Sequence, residues 1–163
     1  MAKQVIATGS AANDGTGDTL RSAGTKINSN FTELYDMRAR VTKTETTASI
    51  SNNDQDKLTF ADSDVGKSFV LHEIKPSAAS YIKLYTDSDL RVADIGRGQL
   101  ASPVGEGLIT EFVTQADSAI RFAPGIIGYT DSDNVLGVSM QVKNLSGSTT
   151  AISVRLKALK LEI

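Results

Sequence analysis

Paired carboxylates are the residues of this sequence whose types and spacing could most readily do chemistry. The triplet Asp-Ser-Asp occurs three times, at Asp62–Asp64, Asp87–Asp89 and Asp131–Asp133. Carboxylate oxygens in loops are ligands that Ca²⁺ prefers, but no triplet continues into the glycine and distant glutamate of an EF-hand. Aspartate and serine are also common in turns, where their side chains bond to nearby backbone. We therefore predict turns and no metal site, with a cation site as the alternative.

Four further acids are candidates for the two carboxylates of a glycosidase: Asp94, Glu106, Glu111 and Asp117. Their spacing singles out no pair. The sequence has one histidine, His72, and no cysteine, so a serine-histidine-aspartate relay would depend on that ring, for which we expect a structural role. We expect no catalytic residues, no enzyme activity and no cofactor. A polysaccharide-degrading enzyme is the less favoured alternative.

Charge and hydropathy limit the partners. The 163 residues contain 17 lysines and arginines against 19 aspartates and glutamates, a formal net charge of −2. Binding through phosphates requires clustered lysine and arginine, so we expect no nucleic-acid partner. The apolar runs are short, and the first residues are small and polar rather than an apolar signal core. We expect no secretory signal and no membrane insertion.

The elements that would position any site begin with an arm and a helix. Glycine, asparagine and aspartate mark turns over residues 1–17, which predicts an extended N-terminal arm. From residue 18 the apolar spacing is helical, and we predict a helical stalk over residues 18–42 with Asp18 as its N-cap.

The apolar residues of this stalk alternate spacings of three and four, as in a coiled coil. The predicted oligomer interface consists of two sets of heptad positions. The a positions are Leu20, Ile27, Leu34 and Val41, and the d positions are Ala23, Asn30 and Met37. A polar residue at such a position, here Asn30, sets register and oligomer state. The alternative is a single amphipathic helix packed on its own domain.

A linker is predicted over residues 43–56, which are rich in threonine, serine and asparagine. Residues 57–163 alternate with a period of two between turn formers, which predicts an antiparallel β-sandwich head, jelly-roll-like. Strands are expected at 80–85, 90–95, 108–113, 119–123, 126–129, 135–142 and 152–163. The apolar face changes after Ala158, which predicts either a one-residue β-bulge there or a strand that contacts another subunit. The predicted fold class is mainly β with an N-terminal α-helix.

Residues 13–35 have the sequence NDGTGDTLRSAGTKINSNFTELY. This stretch resembles a segment in structural proteins of tailed bacteriophages, particularly fibres and other tail or neck components of contractile-tailed phages. Gly24 stands where those proteins usually carry a large aromatic residue. The β-rich part is similar to head domains of cyanophage fibre-like proteins.

The resemblance implies a homotrimer in the virion, made in the host cytoplasm, with a trimeric helical stalk followed by the β-sandwich head. Spacing alone permits dimers as well as trimers. We expect a tail fibre or fibre-like protein whose head adheres to a host-surface glycan or docks onto other tail or neck proteins. The candidate recognition loops contain Arg97, Asp131, Asp133 and Asn134. A neck- or capsid-decorating protein without host contact is the alternative.

Overall fold

The chain forms two units, Met1–Ala39 and Arg40–Ile163. The computed structural model describes residues 4–11, 14–36, 40–103, 107–130 and 137–161. The first unit contains an arm and a helix, and the second contains two antiparallel sheets of four strands each. Within the described ranges, no helix combines the length and the apolar character needed to cross a bilayer.

Helix α1 runs Leu20–Asp36. Thr19 is its N-cap, because the Thr19 Oγ1 accepts the N–H of Ser22 at 3.2 Å. The prediction of Asp18 as the N-cap is therefore wrong. The helix is also shorter than predicted: Met37 lies outside the described residues, and Arg40 already belongs to a strand.

The second unit contains eight strands and two short helices in its described part. They are β1 (Arg40–Ile50), β2 (Gln55–Ala61), α2 (Asp62–Val65), β3 (Ser68–Pro76), β4 (Ser80–Tyr85), α3 (Ser88–Ala93), β5 (Leu108–Thr114), β6 (Ile120–Tyr129), β7 (Gly137–Asn144) and β8 (Thr150–Lys160). The first sheet has the order β1-β8-β3-β6, and the second has the order β2-β7-β4-β5. A mainly β chain with an N-terminal helix and antiparallel sheets is thus confirmed.

An apolar core lies between the two sheets, and the central strands contribute alternate residues to it. On β8 the inward side chains are Ile152, Val154, Leu156 and Ala158, and all four are buried. On the second sheet Phe60, Met140 and Leu84 have no exposed surface. This burial of apolar surface is the main force that holds the sheets together.

Strand β1 occupies most of the predicted linker, so that prediction is wrong at residues 43–50. β1 is an edge strand whose outer face is exposed, so it needs no apolar residue on that side. Its alternating threonines have high β propensity, which the polarity of the segment concealed. Val41 belongs to this strand and packs on the head core, not on a helical seam.

The prediction of a strand at 90–95 is wrong, because residues 90–93 belong to helix α3 and Asp94 is its C-cap. Asp87 Oδ1 accepts the N–H groups of Asp89 and Leu90 at 2.7 and 2.8 Å, which caps the helix. The two strands predicted at 119–123 and 126–129 form one strand, β6. Pro124 is tolerated because β6 is an edge strand, and Gly125 lets Val70 approach its backbone.

The β-bulge lies in β3 rather than in β8. The register advances two residues from Leu71 to Glu73 while β8 advances one, so His72 is the extra residue. This bulge breaks the period of two in β3, and the sequence pattern accordingly indicated no strand there. Because β8 continues without a register shift through Ala158 and Leu159, Leu159 lies on the outer face of the first sheet.

Candidate functional site

The arm runs back along α1 and is held by paired hydrogen bonds. The side-chain amide of Asn30 accepts the N–H of Gln4 at 2.9 Å and donates to its carbonyl at 3.0 Å. At the other end, Asp18 accepts the N–H of Ala7 at 2.8 Å and donates its own N–H to the Ala7 carbonyl at 2.8 Å. Lys26 joins the two, because its Nζ donates to Val5 O at 3.0 Å and to Asp18 Oδ2 at 2.7 Å. The hydrogen bond from Lys26, followed by that from Ala7, lowers the pKa of Asp18.

The loop before α1 is organised by the carboxylate of Asp14. Its Oδ2 accepts the N–H groups of Ser10 and Ala11 and the Ser10 hydroxyl, each at 2.7 Å, and its Oδ1 accepts the N–H of Thr16 at 2.9 Å. The Thr16 N–H is the largest of the causes that lower the pKa of Asp14, followed by the bond from Ser10. A Cβ on Gly17 would lie 3.0 Å from Ala7 O, so glycine lets the arm pass close to this backbone without a shift. The glycine and aspartate spacing of this segment therefore serves to reverse the chain.

An apolar stripe on α1 remains uncovered within the N-terminal unit. At about 100° per residue, Ser22, Lys26 and Asn30 share the face beside the arm, and the stripe lies next to it. Leu20 is 91% exposed and Tyr35 is 77% exposed. The stripe consists of Leu20, Ile27, Phe31, Leu34 and Tyr35, all of which are exposed. A continuous exposed apolar surface of this kind is typical of an interaction site.

The predicted interface residues are only partly brought together. Leu20, Ile27 and Leu34 belong to the exposed stripe, and Ala23 is half-buried beside it. Asn30 uses its amide to hold the arm of its own chain, a role that the heptad pattern did not indicate.

A buried ionic network covers the outer face of β4. Arg97, whose side chain is almost fully buried, donates from Nε to the two Asp94 carboxylate oxygens at 2.8 and 2.7 Å and from Nη2 to Glu111. Lys83 donates to the carbonyls of Asp94 and Arg97 at 3.0 and 3.1 Å. Tyr85 donates to Asp94, and Tyr81 donates to Glu111. The prediction that Arg97 is a recognition residue is therefore wrong, because its guanidinium forms ion pairs with Asp94 and Glu111 inside the head.

The network shifts the pKa values of Glu111, Tyr81 and Lys83. The hydrogen bond from Arg97 lowers the pKa of Glu111 despite opposing desolvation, and burial followed by the bond to Glu111 raises the pKa of Tyr81 to about 12. Burial lowers the pKa of Lys83. Asp94 and Glu111 were both candidate glycosidase acids, and the fold does bring them to the same arginine. A glycosidase acid needs a raised pKa, and the pKa of Glu111 moves in the opposite direction.

The other predicted site residues are dispersed. Asp117 is exposed and pairs with Lys75 at 2.7 Å, while Glu106 and the recognition residues Asp131, Asp133 and Asn134 lie outside the described residues. The first Asp-Ser-Asp triplet forms the first turn of α2, and the second caps α3. In the described part of the chain, no three histidine, cysteine, aspartate or glutamate residues cluster as metal ligands would. His72 sits at the β3 bulge, and its Nε2 is buried without a partner among the described residues.

The outer face of the first sheet combines cations with apolar residues. Glu73 is buried and binds Arg155 at 2.7 Å, Lys157 at 3.0 Å and Arg121 at 3.1 Å. Desolvation raises the pKa of Glu73, but the three hydrogen bonds outweigh it and lower the pKa to about 2. At the other end of the same face lie five apolar or aromatic residues, Val70, Ile127, Tyr129, Leu159 and Leu161. We call these five residues the outer patch.

Comparison of the sequence with known proteins identifies one family. The chain matches the family model described as bacteriophage T4 gp9/10-like protein, N-terminal, over residues 3–157, and it belongs to this family. It is therefore a structural protein of the bacteriophage tail or virion, a class whose members interact with other phage structural proteins. A comparison with curated proteins finds no match.

Proposed function

We propose that the protein is a fibre-like tail component that forms a homotrimer through α1 and uses its β-sandwich head to dock onto neighbouring virion proteins or to adhere to the host surface. The observation that carries the proposal is the exposed apolar stripe of α1. A helix of 17 residues is marginal in water by itself, and among the described residues of its own unit α1 is covered by the arm alone.

Two further copies of the same chain are the occupants we assign to the stripe. Leu20, Ile27 and Leu34 recur every seven residues, which is the spacing that lets identical helices pack around a common axis. The arm supports this assignment, because it covers the adjacent face of α1 and leaves the stripe free. Asn30 anchors the arm beside the proposed interface rather than filling a layer of it.

Replacing Ile27 and Leu34 by aspartate tests the trimer. Three copies would place six carboxylates against one another in an apolar seam, and we expect the double variant to sediment as a monomer while the unchanged chain sediments as a trimer. The matched control replaces Thr25 and Thr32 by aspartate, which adds the same charges at the same spacing on the opposite, exposed face. A monomeric unchanged chain at micromolar concentration, or a trimeric Ile27→Asp/Leu34→Asp variant, would contradict the proposal.

The outer patch is the surface we assign to docking within the virion. Ile127 is 73% exposed there, and the neighbouring Arg121, Arg155 and Lys157 share the single carboxylate of Glu73. The complementary partner is a virion protein that presents apolar and acidic side chains. Leu159 reaches this patch because β8 carries no bulge, which supports the predicted contact of that strand with another subunit.

Host adhesion is assigned to the loops, as predicted, although Arg97 is no longer part of the recognition surface. Leu100 is fully exposed beside a groove of about 730 Å³ that also involves Lys143 and Asn53. Exposed loops on a rigid sandwich commonly carry recognition.

Binding to host cells and binding to phage particles separate the two uses of the head. The purified protein is added to intact host cells, to their isolated glycans and to particles that lack it. Binding to cells or glycans supports adhesion, and binding to particles alone supports a decorating or docking role. Binding to none of the three would refute both uses.

A further inference from the structure

A small cavity lies beside helix α3 on the second sheet. Its volume is about 230 Å³, which is below the roughly 300–1,000 Å³ of sites for drug-sized ligands and suits a single side chain. We call it the Arg91 pocket, and the lining residues that matter below are Asp56, Lys57, Arg91, Val92, Ile95 and Gln141.

Arg91 differs from the other buried charged residues described in the head, because it pairs with no described group of opposite charge. It is only 7% exposed, and its Nε donates to Ser139 Oγ at 3.0 Å. Across the described ranges no carboxylate pairs with it, whereas Arg97 has two and Glu73 has three cations around it. A buried cation without a counter-charge is costly, and among the described residues no hydrogen bond occupies the terminal guanidinium nitrogens of Arg91.

Gln141 adds an unused acceptor to the same pocket. It is 2% exposed, and its Nε2 donates to Gln55 Oε1 and to Ile95 O, the latter at 3.0 Å. These two acceptors fix the orientation of the amide. Its Oε1 is buried and has no partner in the part of the chain described. The pocket therefore offers a cationic donor for a carboxylate at Arg91, whereas the Gln141 Oε1 can only accept a hydrogen bond and is available to an N–H group of the same ligand; both residues are nine-tenths buried or more.

The remaining charges of the pocket favour an anion. Lys57 adds a second cation. Among the described lining residues Asp56 is the one acid, and both of its oxygens accept backbone N–H groups, of Lys57 at 2.8 Å and of Ala48 at 2.9 Å. Val92 and Ile95 contribute exposed aliphatic surface. We propose that the Arg91 pocket receives the carboxylate of a glutamate or aspartate side chain from a neighbouring virion protein. This inference rests on the proposed role as a virion component with protein partners.

The edge of the second sheet indicates how such a partner would approach. β2 is an edge strand, but two of its N–H groups are already bonded to side chains. Asp54 accepts the N–H of Gln55 at 2.9 Å, and Asp56 accepts the N–H of Lys57 at 2.8 Å. These occupied donors disfavour the addition of a partner strand along this edge. A side chain that enters the pocket remains, with its stem against Val92 and Ile95 and its carboxylate at Arg91. None of the described lining residues is aromatic, which disfavours a stacked sugar ring.

The test uses the full chain labelled with ¹⁵N and two small probes, N-acetyl-glutamate methylamide and its glutamine counterpart. We expect the glutamate probe to shift the Nε–H signal of Arg91 and the side-chain amide signal of Gln141. The glutamine probe should bind at least about tenfold more weakly. Val92→Asp places a like charge at the mouth of the pocket on an exposed position and should abolish the shifts. Ala93→Asp, which adds the same charge to the next exposed residue of α3, should leave them unchanged.

The outcomes that overturn the proposal are equally specific. Absence of shifts at roughly 0.1 M probe, where even a site of about 1 mM affinity is filled, would refute the pocket. Equal binding of both probes, or shifts that survive Val92→Asp, would refute the carboxylate. Binding of methyl glucuronide tenfold tighter than the glutamate probe would refute a protein side chain in favour of an acidic sugar. The pocket is built from one chain, so the Ile27→Asp/Leu34→Asp variant should bind the probe as the unchanged chain does, and failure of trimerisation is thereby distinguishable from failure of the pocket.

Discussion

Replacing Asp94 by asparagine should cost the head a large part of its stability. Asp94 is 1% exposed and holds Arg97 through both carboxylate oxygens, while Lys83 Nζ lies 3.6 Å from its Oδ2. The network balances two cations, Lys83 and Arg97, against two carboxylates, Asp94 and Glu111. The substitution keeps the size of the side chain but leaves one buried positive charge without its partner.

Removing one partner of a buried ion pair typically costs about 3–5 kcal/mol, out of a total stability of about 5–15 kcal/mol for a domain. We expect a loss of that size in the free energy of unfolding, measured with urea by circular dichroism and tyrosine fluorescence at one fixed protein concentration. The matched control is Asp117→Asn, which breaks the exposed pair with Lys75 and should cost about 0–1 kcal/mol.

A double variant that restores charge balance keeps the prediction testable if Asp94→Asn alone does not fold. Lys83→Met combined with Asp94→Asn removes one charge of each sign, and we expect it to recover part of the lost stability. A cost below about 1 kcal/mol for Asp94→Asn, or equal costs for Asp94→Asn and Asp117→Asn, would refute the reasoning that burial makes this pair important.

The remaining predictions concern the effect of low pH on the stability of the head and the substitution of two glycines, Gly17 before α1 and Gly24 within it. The pKa of Glu73 falls from 4.5 to about 2 on folding, so its stabilisation is complete above pH 4.5 and is lost as the pH falls towards 2; Glu73→Gln should flatten the dependence of the urea midpoint on pH in that window, and an unchanged slope would contradict this. Gly17→Ala should release the arm, seen as faster amide hydrogen exchange at Ala7, because the new Cβ would lie 3.0 Å from the Ala7 carbonyl oxygen. Gly24→Ala should stabilise α1 by about 1 kcal/mol, since its Cβ would meet nothing within 4 Å; lower helix content by circular dichroism would count against it.

The sequence was most informative where local rules decide the outcome. The glycines and aspartates around Asp14 indicated turns, and they do reverse the chain before α1. The helical period from Leu20 predicted α1, and the period of two predicted β4, β5 and β8. These features depend on backbone preferences and side-chain alternation within one segment, which are written in the order of the residues.

The sequence-based predictions were wrong where residues distant in the chain decide the local structure. Polar β1 became a strand because β8 supplies its hydrogen-bond partners, and the position of the bulge at His72 depends on the pairing of β3 with β8. Residues 90–95 alternate like a strand, yet Asp87 caps helix α3 there, and Arg91 of the helix and its C-cap Asp94 are both buried.

The sequence by itself thus determined the class of the chain: an arm, an amphipathic helix and a sandwich-forming β region. Only the tertiary structure decided which charges are available to a partner. Arg97 and Arg91 lie six residues apart, but Arg97 is neutralised by Asp94 and Glu111, whereas Arg91 is buried and pairs with no carboxylate in the part of the chain that the structure describes. The physical reason is that an ionic partner is chosen by proximity in space and by the loss of water around both groups, and neither is a property of neighbouring positions in the chain.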